Sequence, residues 1–116
     1  MIKILFVCTA NNDRSVTAEY LYSNHPGLEV KSAGLVTKPP QTQVSTELLQ
    51  WADVVLCMEE WHKTAIEDRY AACIVGKVID YLDVQHQFPY MYPDLLEIIK
   101  KKVDDWLSVY QSGTKK

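Results

Sequence analysis

The 116-residue sequence has little of what several classes of protein require. Its three cysteines, an odd number with irregular spacing, argue against a disulfide-stabilised fold and favour a reducing, cytoplasmic setting. No apolar run approaches the roughly 20 residues of a membrane span, and no signal peptide is expected. Twelve basic against fifteen acidic residues give a net charge of −3. Nucleic acid and membrane are therefore not expected partners.

What is present is an alternation of short apolar runs with helical patterns. The predicted strands cover residues 2–7, 28–32, 54–58 and 77–82, and the predicted helices cover 15–23, 45–51, 59–70 and 93–109. This βαβα order indicates a parallel sheet packed between helices in a three-layer α/β domain. A chain of this length is expected to form a single monomeric domain, residues 1–112, followed by a flexible tail, 113–116.

The first apolar run ends at Cys8, and a polar turn then leads into a helix. Cys8 is therefore expected at the carboxyl end of a core strand, where ligands bind in α/β sheets, beside a helix amino terminus that attracts anions. Successive N–H groups of residues 9–13 would surround the anion, and Arg14 would close the site with a planar fork that fits phosphate oxygens. A cysteine thiolate placed there can attack phosphorus, with Ser15 as its hydrogen-bond donor.

These residues resemble a known family motif. The segment Cys8-Thr9-Ala10-Asn11-Asn12-Asp13-Arg14-Ser15 matches the C-x-x-N-x-x-R-S loop of the low-molecular-weight protein tyrosine phosphatases. Three further segments look like the corresponding parts of that family: Thr17-Ala18-Glu19, Ser32-Ala33-Gly34 and Trp51-Ala52-Asp53-Val54-Val55-Leu56-Cys57-Met58. The overall similarity is greatest to a short bacterial branch of predicted tyrosine phosphatases.

The resemblance implies both a fold and a set of residue roles. The implied fold is phosphatase I-like, a three-layer α/β/α domain with a four-stranded parallel sheet. The implied roles are Cys8 as nucleophile, Arg14 as phosphate clamp, Asn11 as the side chain that braces the loop and Ser15 as the partner of the thiolate. The phosphate-binding segment would then comprise Thr9, Ala10, Asn11, Asn12, Asp13, Arg14 and Ser15.

Two loop residues depart from the family pattern. Ala10 stands where the family usually has glycine, and Asp13 where it usually has an apolar residue or a second cysteine. Because a carboxylate that faced inward would repel phosphate, Asp13 is expected to point outward.

The general acid has two candidates. The family uses an aspartate about nine residues before the first core leucine of the last helix, and counting back from Leu95 reaches His86. Asp83, three residues earlier, is the better match in chemistry, whereas His86 is the better match in position. Phe88 stands where the family often has an aromatic wall for the substrate ring. The choice between Asp83 and His86 stays open at this point.

The predicted function is a phosphatase acting on phosphotyrosine proteins or small aryl phosphates, with phosphate or another oxyanion held in the loop. No metal-ligand spacing is present, so neither a metal nor a cofactor is expected. Two alternatives stay open. One is a module that binds phosphate groups with little turnover. The other is an arsenate reductase-like protein, which would need two closely spaced further cysteines, unlike Cys57 and Cys73.

Overall fold

A computed structural model describes residues 1–86 and 88–114 of the chain. It contains four strands and four helices in alternation, with one short 3-10 turn before the last strand. The strands are β1 (Ile2–Cys8), β2 (Leu28–Gly34), β3 (Val54–Cys57) and β4 (Val78–Tyr81), and the helices are α1 (Arg14–Tyr22), α2 (Thr46–Trp51), α3 (Glu60–Arg69) and α4 (Pro93–Thr114). The 3-10 turn spans Ala71–Cys73.

The four strands form one parallel sheet in the order β2-β1-β3-β4. Strand β1 pairs with β2 on one side, where Cys8 is in register with Gly34, and with β3 on the other, where Val7 is in register with Cys57. The chain thus leaves β1 toward one edge of the sheet and later returns to its other side. The carboxyl end of β1 is therefore the point at which the strand order reverses, the usual ligand position in such sheets.

Side chains of β1 alternate between two separate cores. Ile4, Phe6 and Cys8 pack on the face covered by α1 and α4, whereas Leu5 and Val7 pack on the face covered by α2 and α3. All four apolar residues from Ile4 to Val7 are fully buried, which explains why the run shows no polar alternation. Helix α4 contributes Leu95, Ile99, Val103 and Leu107 to the first core at helical spacing.

The predicted three-layer α/β/α class with a four-stranded parallel sheet is confirmed. Strand β2 extends two residues beyond its predicted end, since Ala33 and Gly34 still pair with β1. Helix α4 continues to Thr114, into the predicted tail 113–116, whose last two residues lie outside the described part of the chain. Among the residues that the structure describes, no helix is long and apolar enough to cross a membrane.

Candidate active site

Cys8 ends the central strand, and its thiol contacts the start of α1. Its Sγ lies 3.0 Å from the hydroxyl of Ser15 and accepts a hydrogen bond of 3.2 Å from the backbone N–H of Asn11. The residue is only 3% exposed. The sulfur thus lies within hydrogen-bond distance of a hydroxyl and of a backbone N–H, beside the amino terminus of a helix.

Asn11 braces the loop of residues 8–15, called here the cysteine loop. Its backbone adopts a left-handed conformation with φ of 57°, which asparagine tolerates better than most residues. Its side-chain amide donates to the hydroxyls of Ser15 (2.9 Å) and Ser32 (3.0 Å), and its carbonyl oxygen accepts from the N–H of Thr42 (3.0 Å). One buried side chain therefore ties the loop to α1, to β2 and to the segment before α2.

Gly34 lets β2 approach the cysteine loop closely. A Cβ at this position would lie 2.7 Å from the Asn11 nitrogen and 2.8 Å from the Ala10 carbonyl carbon, both backbone atoms that cannot move aside. The position of the loop therefore requires glycine at residue 34.

Arg14 is the first residue of α1, and it is buried with only 2% of its surface exposed. One terminal nitrogen, Nη1, donates to Glu59 Oε2 at 2.6 Å and to the carbonyl oxygen of Val84 at 2.7 Å. Its Nε is buried and has no hydrogen-bond partner within the described residues. The other terminal nitrogen, Nη2, donates to the Thr9 hydroxyl at 3.4 Å. The guanidinium is thus held through both terminal nitrogens, while Nε keeps an unsatisfied donor.

Behind the cysteine loop, His62 and Glu59 form a buried support at the start of α3. The Glu59 N–H donates to His62 Nδ1 at 3.0 Å, and His62 Nε2 lies 3.0 Å from the Thr9 hydroxyl. Burial, and then the charge of Arg14, lower the pKa of His62 to about 4. The neutral ring therefore carries its proton on Nε2 and donates it to Thr9, which leaves the proton of the Thr9 hydroxyl for another acceptor.

The cysteine loop, Glu59 and His86 enclose a cavity of about 320 Å³. Its lining residues are Cys8, Thr9, Ala10, Asn12, Asp13, Arg14, Glu59 and His86. Six of these belong to the predicted site segment, and His86 joins them from the loop after β4. Asp13 was expected to point outward, but it is one of the lining residues, and its carboxylate is hydrogen-bonded to His86 and to the backbone N–H of Tyr90.

Asp83 and Phe88 are not brought to this cavity. Asp83 is exposed, and its carboxylate accepts a hydrogen bond from the neighbouring Gln85 side chain. Phe88 stacks on Tyr92 with ring centroids 5.3 Å apart and packs against the core beneath α4. Of the two acid candidates, only His86 lines the cavity that Cys8 and Arg14 also line.

The sequence predicted neither Glu59 nor His62 as a site residue. The structure has both residues in a capping box, in which each side chain accepts the other's backbone N–H at the start of α3. The E-x-x-H spacing at the beginning of a predicted helix was the available signal for this cap. Nothing local in the sequence shows that the cap touches Arg14 and Thr9, which lie far away along the chain. Among the described residues, no cluster of histidine, cysteine or carboxylate side chains could hold a metal ion.

No family model matches the chain. It is 36% identical to a protein-arginine-phosphatase of Geobacillus stearothermophilus over a 91-residue alignment that covers 59% of this chain. The matched part spans 62% of that relative, less than two thirds of its length.

Solved structures match nearly the whole chain. A low-molecular-weight protein tyrosine phosphatase from Streptococcus pyogenes superposes with a TM-score of 0.70 at 15% identity, covering 93% of this chain and 92% of its own. The fold is thus that of the low-molecular-weight protein tyrosine phosphatases, and the resemblance predicted from the cysteine loop is confirmed. The YwlE arginine phosphatase from Geobacillus stearothermophilus matches with a TM-score of 0.71 at 26% identity, over 97% of both chains.

Proposed function

We propose that this chain is a cysteine-dependent phosphatase that removes a phosphoryl group from its substrate through a cysteinyl-phosphate intermediate on Cys8. One observation carries the proposal: the Cys8 thiol and the buried Arg14 guanidinium line the same cavity, and Arg14 Nε has no partner within the described residues. A buried cationic donor of this kind is stabilised by an anion, and the planar guanidinium fits phosphate oxygens.

In the first step, the Cys8 thiolate attacks phosphorus in line with the leaving group. The S–P bond forms, the bond from phosphorus to the leaving atom breaks, and the leaving atom takes a proton from His86. Arg14 and the backbone N–H groups of the cysteine loop stabilise the transition-state oxygens. His86 is preferred over Asp83 as the acid because it lines the cavity.

In the second step, water attacks the cysteinyl phosphate from the side that the leaving group has vacated. The new O–P bond forms, the S–P bond breaks, and neutral His86 takes the proton from the water. The Ser15 hydroxyl, 3.0 Å from the sulfur, donates to the thiolate as it leaves. The products are inorganic phosphate and the enzyme in its starting state, so the cycle needs no cofactor.

Phosphotyrosine or another aryl phosphate is the first substrate class to consider. A phosphorylated arginine side chain is the second, and two observations favour it. Among the described residues that line the cavity, no Phe, Tyr or Trp offers a wall for a phenol ring. The similar YwlE protein is an arginine phosphatase. We propose that the protein acts in the reducing setting of the cytoplasm, where the Cys8 thiol stays reduced.

The arsenate reductase alternative is disfavoured by the position of the other thiols. Cys8 belongs to the core beneath α1 and α4, whereas Cys57 and Cys73 pack in or against the core on the opposite face of the sheet. A thiol across the sheet cannot reach the Cys8 sulfur without rearrangement of the strands.

Hydrolysis of p-nitrophenyl phosphate tests the proposal, with Cys8→Ser as the variant and Cys73→Ser as the matched control outside the cavity. We expect Cys8→Ser to abolish turnover but still bind tungstate by calorimetry, and Cys73→Ser to retain wild-type turnover. Turnover that survives in Cys8→Ser would rule out the covalent mechanism. Tungstate binding by a wild type without turnover would instead support the phosphate-binding module.

A second experiment distinguishes the two substrate classes, phosphotyrosine and phosphoarginine. Two peptides of one sequence, one carrying phosphotyrosine and the other phosphoarginine, are compared by their kcat/KM values with wild-type enzyme. A higher value for the phosphoarginine peptide is expected if the polar lining selects the substrate. A higher value for the phosphotyrosine peptide would restore the aryl phosphate class.

A further inference from the structure

The carboxylate of Asp13 connects the cysteine loop to the loop between β4 and α4, residues 82–92, which is described except at position 87. Its Oδ1 accepts the backbone N–H of Tyr90 at 2.9 Å, and its Oδ2 lies 3.0 Å from His86 Nε2. Both oxygens of one side chain thus hold the loop that carries the proposed acid. These two contacts explain why a carboxylate stands at residue 13, in a loop proposed to bind anions.

The contact with Asp13 decides which nitrogen of His86 faces the substrate. An ionised carboxylate has no proton to donate, so the proton of the hydrogen bond must be on Nε2. Only Nδ1 then remains to exchange a proton with a leaving group or a water in the cavity, which both side chains line.

We infer that Asp13 is a positioning residue that orients His86 over the cysteine loop and keeps its Nδ1 available as the proton donor of the phosphatase reaction. The inference rests on the proposed function. In the first step Nδ1 gives its proton to the leaving atom while Nε2–H stays bonded to Asp13. In the second step Nδ1 takes a proton from the attacking water, so protons balance over the cycle.

His86 depends on this contact for its orientation. Its side chain is 68% exposed, and Asp13 is its sole hydrogen-bond partner among the residues described. Asp13 is held more firmly, because its backbone carbonyl accepts from both the hydroxyl (2.6 Å) and the N–H (3.0 Å) of Thr17. The Thr17 hydroxyl in turn accepts the N–H of Met91 at 3.3 Å, which gives the acid-bearing loop a second attachment to α1.

The dependence of rate on the leaving group measures whether an acid works. Without proton transfer, kcat falls steeply as the pKa of the leaving phenol rises, and with it the fall is shallow. We expect a shallow dependence for wild type across a series of aryl phosphates. Asp13→Asn and His86→Ala should both give a steep one, with phenyl phosphate turnover reduced about 10²-fold or more, the usual contribution of a general acid. The double variant should be little worse than either single variant, because the two residues act as a unit.

Two controls separate this role from a structural one. Asp105→Asn removes an exposed carboxylate that forms an ion pair with Lys101 on α4. This variant should keep the shallow leaving-group dependence of wild type. Tungstate affinity of Asp13→Asn should not fall below that of wild type, because the Asp13 carboxylate donates nothing to the anion and its removal takes away a repelling charge. A loss of tungstate binding in Asp13→Asn, or a shallow dependence in that variant beside a steep one in His86→Ala, would overturn the inference.

A measurement on wild type avoids any dependence on how the variant folds. Nitrogen-15 NMR of the His86 ring should show the neutral tautomer protonated at Nε2, and a ring protonated at Nδ1 would contradict the assignment. Failure of the proposed function has a separate signature, namely turnover that is absent or indifferent to Cys8→Ser, and in that case the inference falls with it.

Discussion

The two loops that meet at the cavity are held in opposite ways. The cysteine loop is anchored by buried residues, with Asn11 making three side-chain hydrogen bonds and Arg14 bonded to two other segments. The loop between β4 and α4 has exposed residues at Asp83, His86 and Tyr90, and it is attached mainly through backbone groups.

This difference separates two parts of the chemistry. In the proposed mechanism, anion binding and the nucleophile come from eight contiguous residues, whose conformation is set by their own side chains and by β2. Proton delivery in that mechanism depends on a distant loop, which is tied to the cysteine loop through Asp13. Loops with few buried contacts open at a lower free energy than a core does. Proton transfer should therefore be the part of the proposed mechanism that substitutions disturb most easily.

The largest effect on turnover and on tungstate binding should come from substituting Arg14 in the buried cysteine loop. Arg14→Ala removes the cation that faces the thiol and leaves Glu59 partly buried without its partner, so both tungstate binding and turnover should be lost, the latter by at least about 10²-fold. Arg14→Lys should do little better, because a point charge cannot reproduce the planar fork.

Calorimetry with tungstate and a p-nitrophenyl phosphate assay measure the two properties of the Arg14 variants. Arg69→Ala, an exposed arginine at the end of α3, is the matched control. Full tungstate affinity in Arg14→Ala would show that the backbone groups of the cysteine loop bind the anion alone.

The next effect concerns the support that β2 gives to the cysteine loop. Gly34→Ala would place a methyl group 2.7 Å from the Asn11 nitrogen, so the loop must shift. Overpacking of this kind typically lowers the free energy of unfolding by about 1–3 kcal/mol, and here it should also weaken tungstate binding. Gly27→Ala is the control, since Gly27 has a φ of 82° but open space around it and lies away from the site. Denaturant titration should show both variants destabilised, with tungstate affinity lost only in Gly34→Ala.

The third effect is the pH dependence of folding stability that the buried His62 should cause. Burial and the charge of Arg14 lower the pKa of His62 to about 4, against an ordinary histidine value near 6.5. Between these two values the unfolded chain binds more protons than the folded one, so the contribution of His62 to stability is lost as the pH falls from about 6.5 to 4. The loss is roughly 3 kcal/mol.

Urea titrations at several pH values in this window measure the dependence. His62→Gln removes the titrating group, so its stability should fall less steeply over the same window, while the carboxylates titrate equally in both proteins. Parallel curves for wild type and His62→Gln would show that the His62 ring is protonated in the folded state.

Much of the rigid side of the site could be predicted from the sequence. The apolar run ending at Cys8 and the spacing of Arg14 and Ser15 are local features. They correctly predicted a strand, then a loop, then the start of a helix. Local patterns succeed here because each element is specified by its own residues.

The contacts across the cavity could not be predicted in the same way. The bonds of Arg14 to Glu59 and Val84, and of Asp13 to His86 and Tyr90, join residues far apart in sequence, and no periodicity records them. Counting along the chain placed His86 near the site but could not choose it over Asp83. The direction of a side chain in an irregular loop depends on its tertiary partners, so the sequence alone could not show that His86, of the two, lines the cavity.

The smallest effect should come from Asp83, the acid candidate that the loop turns away from the cavity. Its backbone φ of 58° is one that asparagine also tolerates. Within the described residues, its carboxylate accepts a hydrogen bond from the neighbouring Gln85 amide alone. Asp83→Asn should therefore change stability by less than about 0.5 kcal/mol and kcat by less than about twofold. The leaving-group dependence should stay shallow in Asp83→Asn, in contrast to the steep dependence expected for His86→Ala. A steep dependence in Asp83→Asn beside a shallow one in His86→Ala would reverse the assignment, because it would mean that the loop rearranges on substrate binding and brings the carboxylate into the cavity.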